Sequence, residues 1–195
     1  MSAVPKKKLT EGEYLTIERA APFKSEFYRG EMFAMAGATF DHNRAKDNIA
    51  RHLGNILAGG PCQPLVSDMK VKVSATGLYA YPDVLIVCGP PEFDGSGRDC
   101  LLNPKVVIEV LSDSTERYDR GEKFRQYQRV ESMTEYVLVS QDEPLVEVFT
   151  RQPNGSWNLI SASGLTAELV LTTVPARVPL ADVYAGVTFP ERPLR

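Results

Sequence analysis

Val106-Val107-Ile108-Glu109-Val110-Leu111 is an apolar run with one carboxylate in its middle. Its β-branched residues read as a strand, and its unbroken apolar character marks a strand covered on both faces. Because side chains alternate across a strand, Glu109 shares its face with Val107 and Leu111, where a carboxylate must find a cation, a metal or a proton. Upstream, Asp83 follows Pro82 and opens a second run, Val84 to Cys88, so that its side chain stands at a strand mouth. Two carboxylates at adjacent strand ends make a hard oxygen site of the kind that suits Mg²⁺ or Mn²⁺.

Downstream, Ser112-Asp113-Ser114-Thr115 leads into a stretch whose pattern predicts a long helix from Ser114 to Val130. Asp119, Lys123 and Tyr127 follow one another at four-residue steps and share a face, so Lys123 can point back toward the sheet. A lysine beside a metal-bound carboxylate pair would orient or deprotonate an attacking water and offset charge on a phosphorane-like transition state. That is the chemistry of phosphodiester hydrolysis. The same residues also fit a plain buried ion pair.

Around this centre the pattern predicts a capped helix from Thr10 to Ala20, with Thr10 and Glu13 as a capping box. A hairpin is expected over Ser25 to Tyr28 and Glu31 to Ala36, turning at Arg29-Gly30, and a first long helix from Asp41 to Ala58. Further strands are expected at Asp68 to Ser74, Tyr136 to Ser140, Val146 to Thr150 and Trp157 to Ser161, the last two joined at Asn154-Gly155. Beyond them the prolines limit expectation to a short helix at Leu180 to Tyr184. Buried strands between helices favour a sheet sandwiched by helical layers in one domain over residues 1–195, with tails at 1–9 and 186–195.

Composition narrows the function classes. The 195 residues carry 22 Lys and Arg against 25 Asp and Glu, a net charge of -3, so a polyanion would be held by a local patch and not by a global field. Arg117, Arg120, Arg125 and Arg129 on the second helix are candidates, interleaved with Glu116, Asp119, Glu122 and Glu131. Cys62, Cys88 and Cys100 are too few and scattered for a disulfide framework and show no zinc spacing, which points to a reducing, cytoplasmic setting. No apolar stretch approaches a membrane span, and Gly59-Gly60 is no phosphate loop, so membrane and P-loop functions are disfavoured.

The ordered set Tyr81-Pro82-Asp83-Val84, Pro104 to Ser112, Ser114-Thr115, Asp119-Arg120, Lys123, Tyr127 and Glu135 to Val139 resembles the Uma-two family of restriction endonucleases. The resemblance takes in Gly30-Glu31, Met35-Ala36-Gly37 and His42 upstream and the hairpin ending at Trp157, about residues 25–160. It implies a PD-(D/E)XK nuclease core: an α/β, restriction-endonuclease-like three-layer α/β/α arrangement with a mixed central β-sheet plus additional antiparallel strands. It also implies a divalent-metal-dependent, Mg²⁺- or Mn²⁺-using endonuclease acting on nucleic acid, with DNA the expected polymer and a homodimer plausible.

By that pattern Asp83 matches the motif aspartate and Glu109 the glutamate of the following strand. The residue two beyond Glu109 is Leu111, so the usual in-strand lysine is absent and Lys123 stands as a migrated one. Asp83, Glu109 and the carbonyl of Val110 are the expected metal ligands, and Asp83, Glu109 and Lys123 the expected catalytic set. Asp119 could be accessory or could pair with Arg117, Arg120 or Lys123. Glu31 could complete the carboxylates, His42 could position phosphate or water or simply cap its helix, and Tyr127 is an accessory or a core aromatic. His52 reads as structural. The rival class is an inactive nuclease-fold module that binds nucleic acid or protein.

Overall fold

The computed structural model describes residues 8–66 and 68–190. Helix α1 (Glu11–Ala20) is opened by the Thr10/Glu13 capping box and lies on the hairpin β1 (Ser25–Tyr28) and β2 (Glu31–Ala34). Helix α2 (Phe40–Ile56) is N-capped by Thr39 and buries Ala45, Ile49 and Leu53 at helical spacing. Then come β3 (Cys62–Val66), β4 (Lys70–Val73), β5 (Leu78–Ala80), β6 (Val84–Cys88), β7 (Cys100–Leu101) and β8 (Val106–Val110). The chain crosses through α3 (Glu116–Tyr118), a π-helical segment (Asp119–Lys123) and α4 (Phe124–Tyr127) to β9 (Glu135–Val139). It ends with β10 (Leu145–Arg151), β11 (Trp157–Ser163), β12 (Glu168–Leu171), β13 (Ala176–Pro179) and α5 (Leu180–Val183).

The central sheet has six strands in the order β11-β10-β9-β8-β6-β3 and is mixed, because β8 and β9 run parallel while the other neighbours are antiparallel. The parallel step needs a crossover, which the α3–α4 stretch supplies. One face of the sheet, through Val84, Ile86, Val106, Ile108 and Val137, packs on α2, α5 and the β12-β13 hairpin. The other face, through Leu85, Val107, Leu111, Tyr136 and Leu138, meets Phe124, Tyr127 and the second sheet, order β2-β1-β5-β4-β7. The helical layer expected on this face is therefore shared with a sheet, and α1 closes the far side through Tyr14, stacked on Phe27 at 4.7 Å.

The structure corrects four sequence expectations. The single helix predicted from Ser114 to Val130 is broken, with five residues in π geometry. The C-terminal stretch, whose prolines limit expectation to a short helix, also carries a hairpin of short strands, β12-β13; Pro179 closes a two-stranded sheet in which every strand is an edge. Packing extends into both presumed tails, since Leu9 donates its N–H to the Gly30 carbonyl at 2.9 Å and Phe189 contacts the Tyr184 ring; residues 1–7 and 191–195 lie outside the described residues. Finally, Cys62 and Cys88 form a disulfide, because β3, unrecognised in the sequence, places them directly across from each other on β6. Cys100 is buried and free.

The disulfide closes a loop with a sequence separation of 26. Its reduction is expected to remove about 3 kcal/mol of stability through the entropy regained by the unfolded chain. Urea melts with and without dithiothreitol measure this, and coincident curves would show that the bond contributes nothing.

Candidate active site

The antiparallel register pairs Val84 with Ile108, so one step further along Asp83 lies across from Glu109. The backbone of Asp83, just before β6, thus lies beside that of Glu109 on β8. Asp83 Oδ2 accepts the Val110 N–H at 2.8 Å, and Oδ1 lies 3.1 Å from His42 Nε2. Since an ionised carboxylate only accepts, Nε2 must carry the proton in this contact. Burial pushes the Asp83 carboxyl up, but the His42 hydrogen bond and charge, the Val110 N–H and the Lys123 charge outweigh it and hold the group below its ordinary value.

Glu109 is 3% exposed, and its Oε1 lies 2.9 Å from Lys123 Nζ. Burial pushes its carboxyl well above the ordinary value; Lys123 opposes that, while the charges of Asp119 and Asp83 reinforce it. Lys123 is itself 5% exposed and gathers two further carboxylates, Glu26 Oε1 at 3.2 Å and Asp119 Oδ1 at 3.4 Å. Burial alone would lower its pKa, yet Glu109, Glu26 and Asp119 raise it well above that of a free lysine. Lys123 is therefore held as an ammonium that donates and orients, a state that does not deprotonate water.

The broken helix explains how one short stretch delivers so many groups inward. A π turn takes up an extra residue, which shifts the register so that Lys123, Phe124, Gln126 and Tyr127 are all buried. Asp119 is buried too, not on the helix surface, and its pKa is raised chiefly by burial. Its carbonyl accepts the Tyr136 hydroxyl at 3.0 Å. Tyr127 is fully buried with a hydroxyl that has no hydrogen-bond partner among the described residues, beside the Tyr136 ring and within the field of Glu109.

The structure brings Asp83, Glu109, Lys123, His42, Asp119 and Tyr127 together. It does not bring Glu31, which stands exposed at the start of β2, paired across the hairpin with Tyr28. The additional carboxylate belongs instead to Glu26 on β1, which the sequence reading passed over. Glu26 pairs with Lys123; burial raises the pKa of Tyr118 most, and the Glu26 charge raises it further. The signal was present in the alternation of Ser25-Glu26-Phe27-Tyr28, where Phe27 enters the core under α1 and Glu26 must face the opposite way. Val110 reaches the site with its N–H, on Asp83 Oδ2. Of the expected phosphate-binding arginines, Arg120 is tied to Glu116 and Glu147, whereas Arg117, Arg125 and Arg129 stay exposed.

Glu135 supplies a contrast. It is as buried as Glu109, yet its carboxylate accepts from the N–H and hydroxyl groups of both Thr172 and Thr173. Neutral donors of the β12-β13 turn satisfy it, so it is a structural anchor. Glu109 has no such donors. Four carboxyl groups, Glu26, Asp83, Glu109 and Asp119, face the two basic side chains Lys123 and His42, and this shortage of positive charge calls for protons or a cation.

The donors that meet there, carboxylate oxygens without sulfur, fit Mg²⁺ or Mn²⁺. Among the described residues no three His, Cys, Asp or Glu side chains form a ready cage. Asp83 and Glu109 are the residues that could hold such a cation, with waters completing the shell that Mg²⁺ gives up reluctantly.

The model of the family described as "Putative restriction endonuclease", Uma2, matches residues 12–181. The chain belongs to the Uma2 family. Two uncharacterized proteins of Synechocystis sp., sll1609 and slr1290, are similar to this Uma2 chain: 34% identical over 83% of it and 91% of the relative, and 31% identical over 96% and 97%. In three dimensions it resembles the crystal structure of a putative nuclease belonging to DUF820 from Anabaena variabilis, with a TM-score of 0.73 over 92% of this chain and 99% of the other. At 14% identity that likeness shows a shared fold. No helix among the described residues is long and apolar enough to cross a membrane.

Proposed function

We propose that this Uma2 protein is a divalent-metal-dependent endonuclease acting on DNA, with Asp83 and Glu109 as metal ligands and Lys123 as the group that holds Glu109 in place. The observation that carries this reading is a pair of carboxylates at adjacent backbone positions with opposed pKa displacements, one held ionised and the other held by a buried ammonium. Family membership and the fold shared with the Anabaena variabilis protein support it.

A cation bound there would polarise a phosphoryl oxygen and lower the pKa of an attacking water. The chain's own residues do the rest. His42 and the Val110 N–H fix both oxygens of Asp83, so the carboxylate enters the reaction already oriented. Lys123 aligns Glu109 from the buried side, and Asp119 and Glu26 hold Lys123. Asp83, part-exposed where Glu109 and Lys123 are sealed, would present a bound cation to a substrate phosphate.

The test is incubation with single-stranded, duplex and branched DNA and with RNA, in Mg²⁺, Mn²⁺ or EDTA. Metal-dependent cleavage that EDTA abolishes is expected. The second reading, a catalytically inactive module that binds nucleic acid or protein, is favoured by the way Lys123 already pairs with three carboxylates. Binding without cleavage of any polymer in either metal would establish it instead.

A further inference from the structure

A cleft of about 380 Å³ opens between the β1-β2 turn, the Thr76 turn and α4, away from the strand mouth at Asp83. It is lined by Arg29, Arg125 and Arg129 together with Tyr28, Thr76, Gln126 and Glu122. Three arginines against one glutamate give it a net positive charge in a chain of net charge -3. Of the three, only Arg125 has a carboxylate partner among the described residues, Glu122 at 2.9 Å. Arg29 lies over the Tyr28 ring at 4.9 Å, and its guanidinium has no acidic partner among the described residues.

Two further features point to a ligand. The Thr76 hydroxyl and Gln126 Oε1 are buried without a hydrogen-bond partner among the described residues, although both residues line the cleft. The N–H groups of Gln126 are committed to Tyr28 Oη and Glu122 Oε1, each at 2.8 Å, which leaves its oxygen to accept. The second feature is Arg29 itself, which adopts φ 51°, a left-handed conformation that Gly, Asn or Asp takes at less cost in a two-residue hairpin turn. An arginine held there at a conformational cost, with no acidic partner, suits recognition better than folding.

We propose that this cleft binds a phosphate of a nucleic-acid strand, with Arg29, Arg125 and Arg129 on the phosphate oxygens, Thr76 donating to one of them, and Gln126 Oε1 accepting from a sugar or base donor beside it. Arginine's planar fork matches phosphate geometry. This rests on the nuclease reading for the identity of the ligand.

The experiment is fluorescence anisotropy with labelled single-stranded and duplex DNA in EDTA, so that binding is read without cleavage. It uses the wild-type chain, Arg29→Gly, Arg129→Ala and Glu122→Gln, with a thermal melt of each. Arg29→Gly and Arg129→Ala should each weaken binding about fivefold and reduce the slope of log affinity against log salt by about one. Glu122→Gln, which frees Arg125, should tighten binding. Arg29→Gly should not lower the melting temperature, because glycine fits the turn.

A second arm measures the shift in melting temperature caused by a nucleoside monophosphate. If the polymer is indifferent to all three substitutions but the monophosphate protects wild type and not the arginine variants, the cleft takes a free nucleotide and the strand assignment is overturned. If neither probe distinguishes the variants from wild type, the proposal falls entirely. Absence of cleavage in the metal assay would sink the nuclease reading and leave this result standing.

Discussion

Lys123→Met is expected to destabilise the protein by about 3–5 kcal/mol at neutral pH, the cost of leaving buried charge without its counter-ion. Glu109, Glu26 and Asp119 all lie within 3.4 Å of the ammonium, and the first and last are almost completely buried. The pH dependence follows from the raised Glu109 and Asp119 pKa values. A carboxyl whose folded pKa exceeds its unfolded one binds its proton more tightly in the folded state, so its ionisation costs stability as pH rises above the unfolded value of roughly 4. Removing the lysine raises both groups further. The deficit of Lys123→Met should therefore be small near pH 4 and grow toward pH 7. Urea melts across that range measure it, and a pH-independent deficit would mean that lost packing, not unpaired charge, sets the cost.

Glu109→Gln separates chemistry from folding. The amide keeps the shape of the side chain, and Lys123 retains Glu26 and Asp119, so stability should stay within about 1.5 kcal/mol of wild type. Cleavage should fall by more than about 10²-fold, since even groups that only support a metal ligand cost 10- to 100-fold when changed. Calorimetric titration of Mn²⁺ should show binding to wild type and none to Glu109→Gln. Full cleavage by a folded Glu109→Gln protein would remove this residue from the site and the proposed mechanism with it.

The centre of this site was legible because a carboxylate inside an apolar strand is a physical contradiction, and Glu109 stands in the plainest case of it. Asp83 followed from its place at a strand mouth, and Lys123 from a helical spacing that brought it back toward the sheet. What escaped had no local signature. Glu26 lies in a four-residue strand too short to establish a period, and its role depends on a lysine 97 positions away in the chain. The β3 strand contains Pro64, which demotes a run to an edge, and an edge of the central sheet is where it lies. Once β3 was missed, the pairing of Cys62 with Cys88 could not be foreseen. Spacing over 114–130 was read with the α period, and five residues that obey a wider turn carry no mark in composition.

That wider turn makes the crossover of this chain tolerant of a deletion in length but not in register. A helix already holding one surplus residue is a place where the gene can drop a codon and the crossover still spans the same two strands, relaxing into regular α geometry. The residues after the deletion would rotate relative to the sheet, and the ammonium would leave its carboxylates. A one-residue deletion between β8 and β9 should therefore leave the sheet standing while parting Lys123 from Glu109.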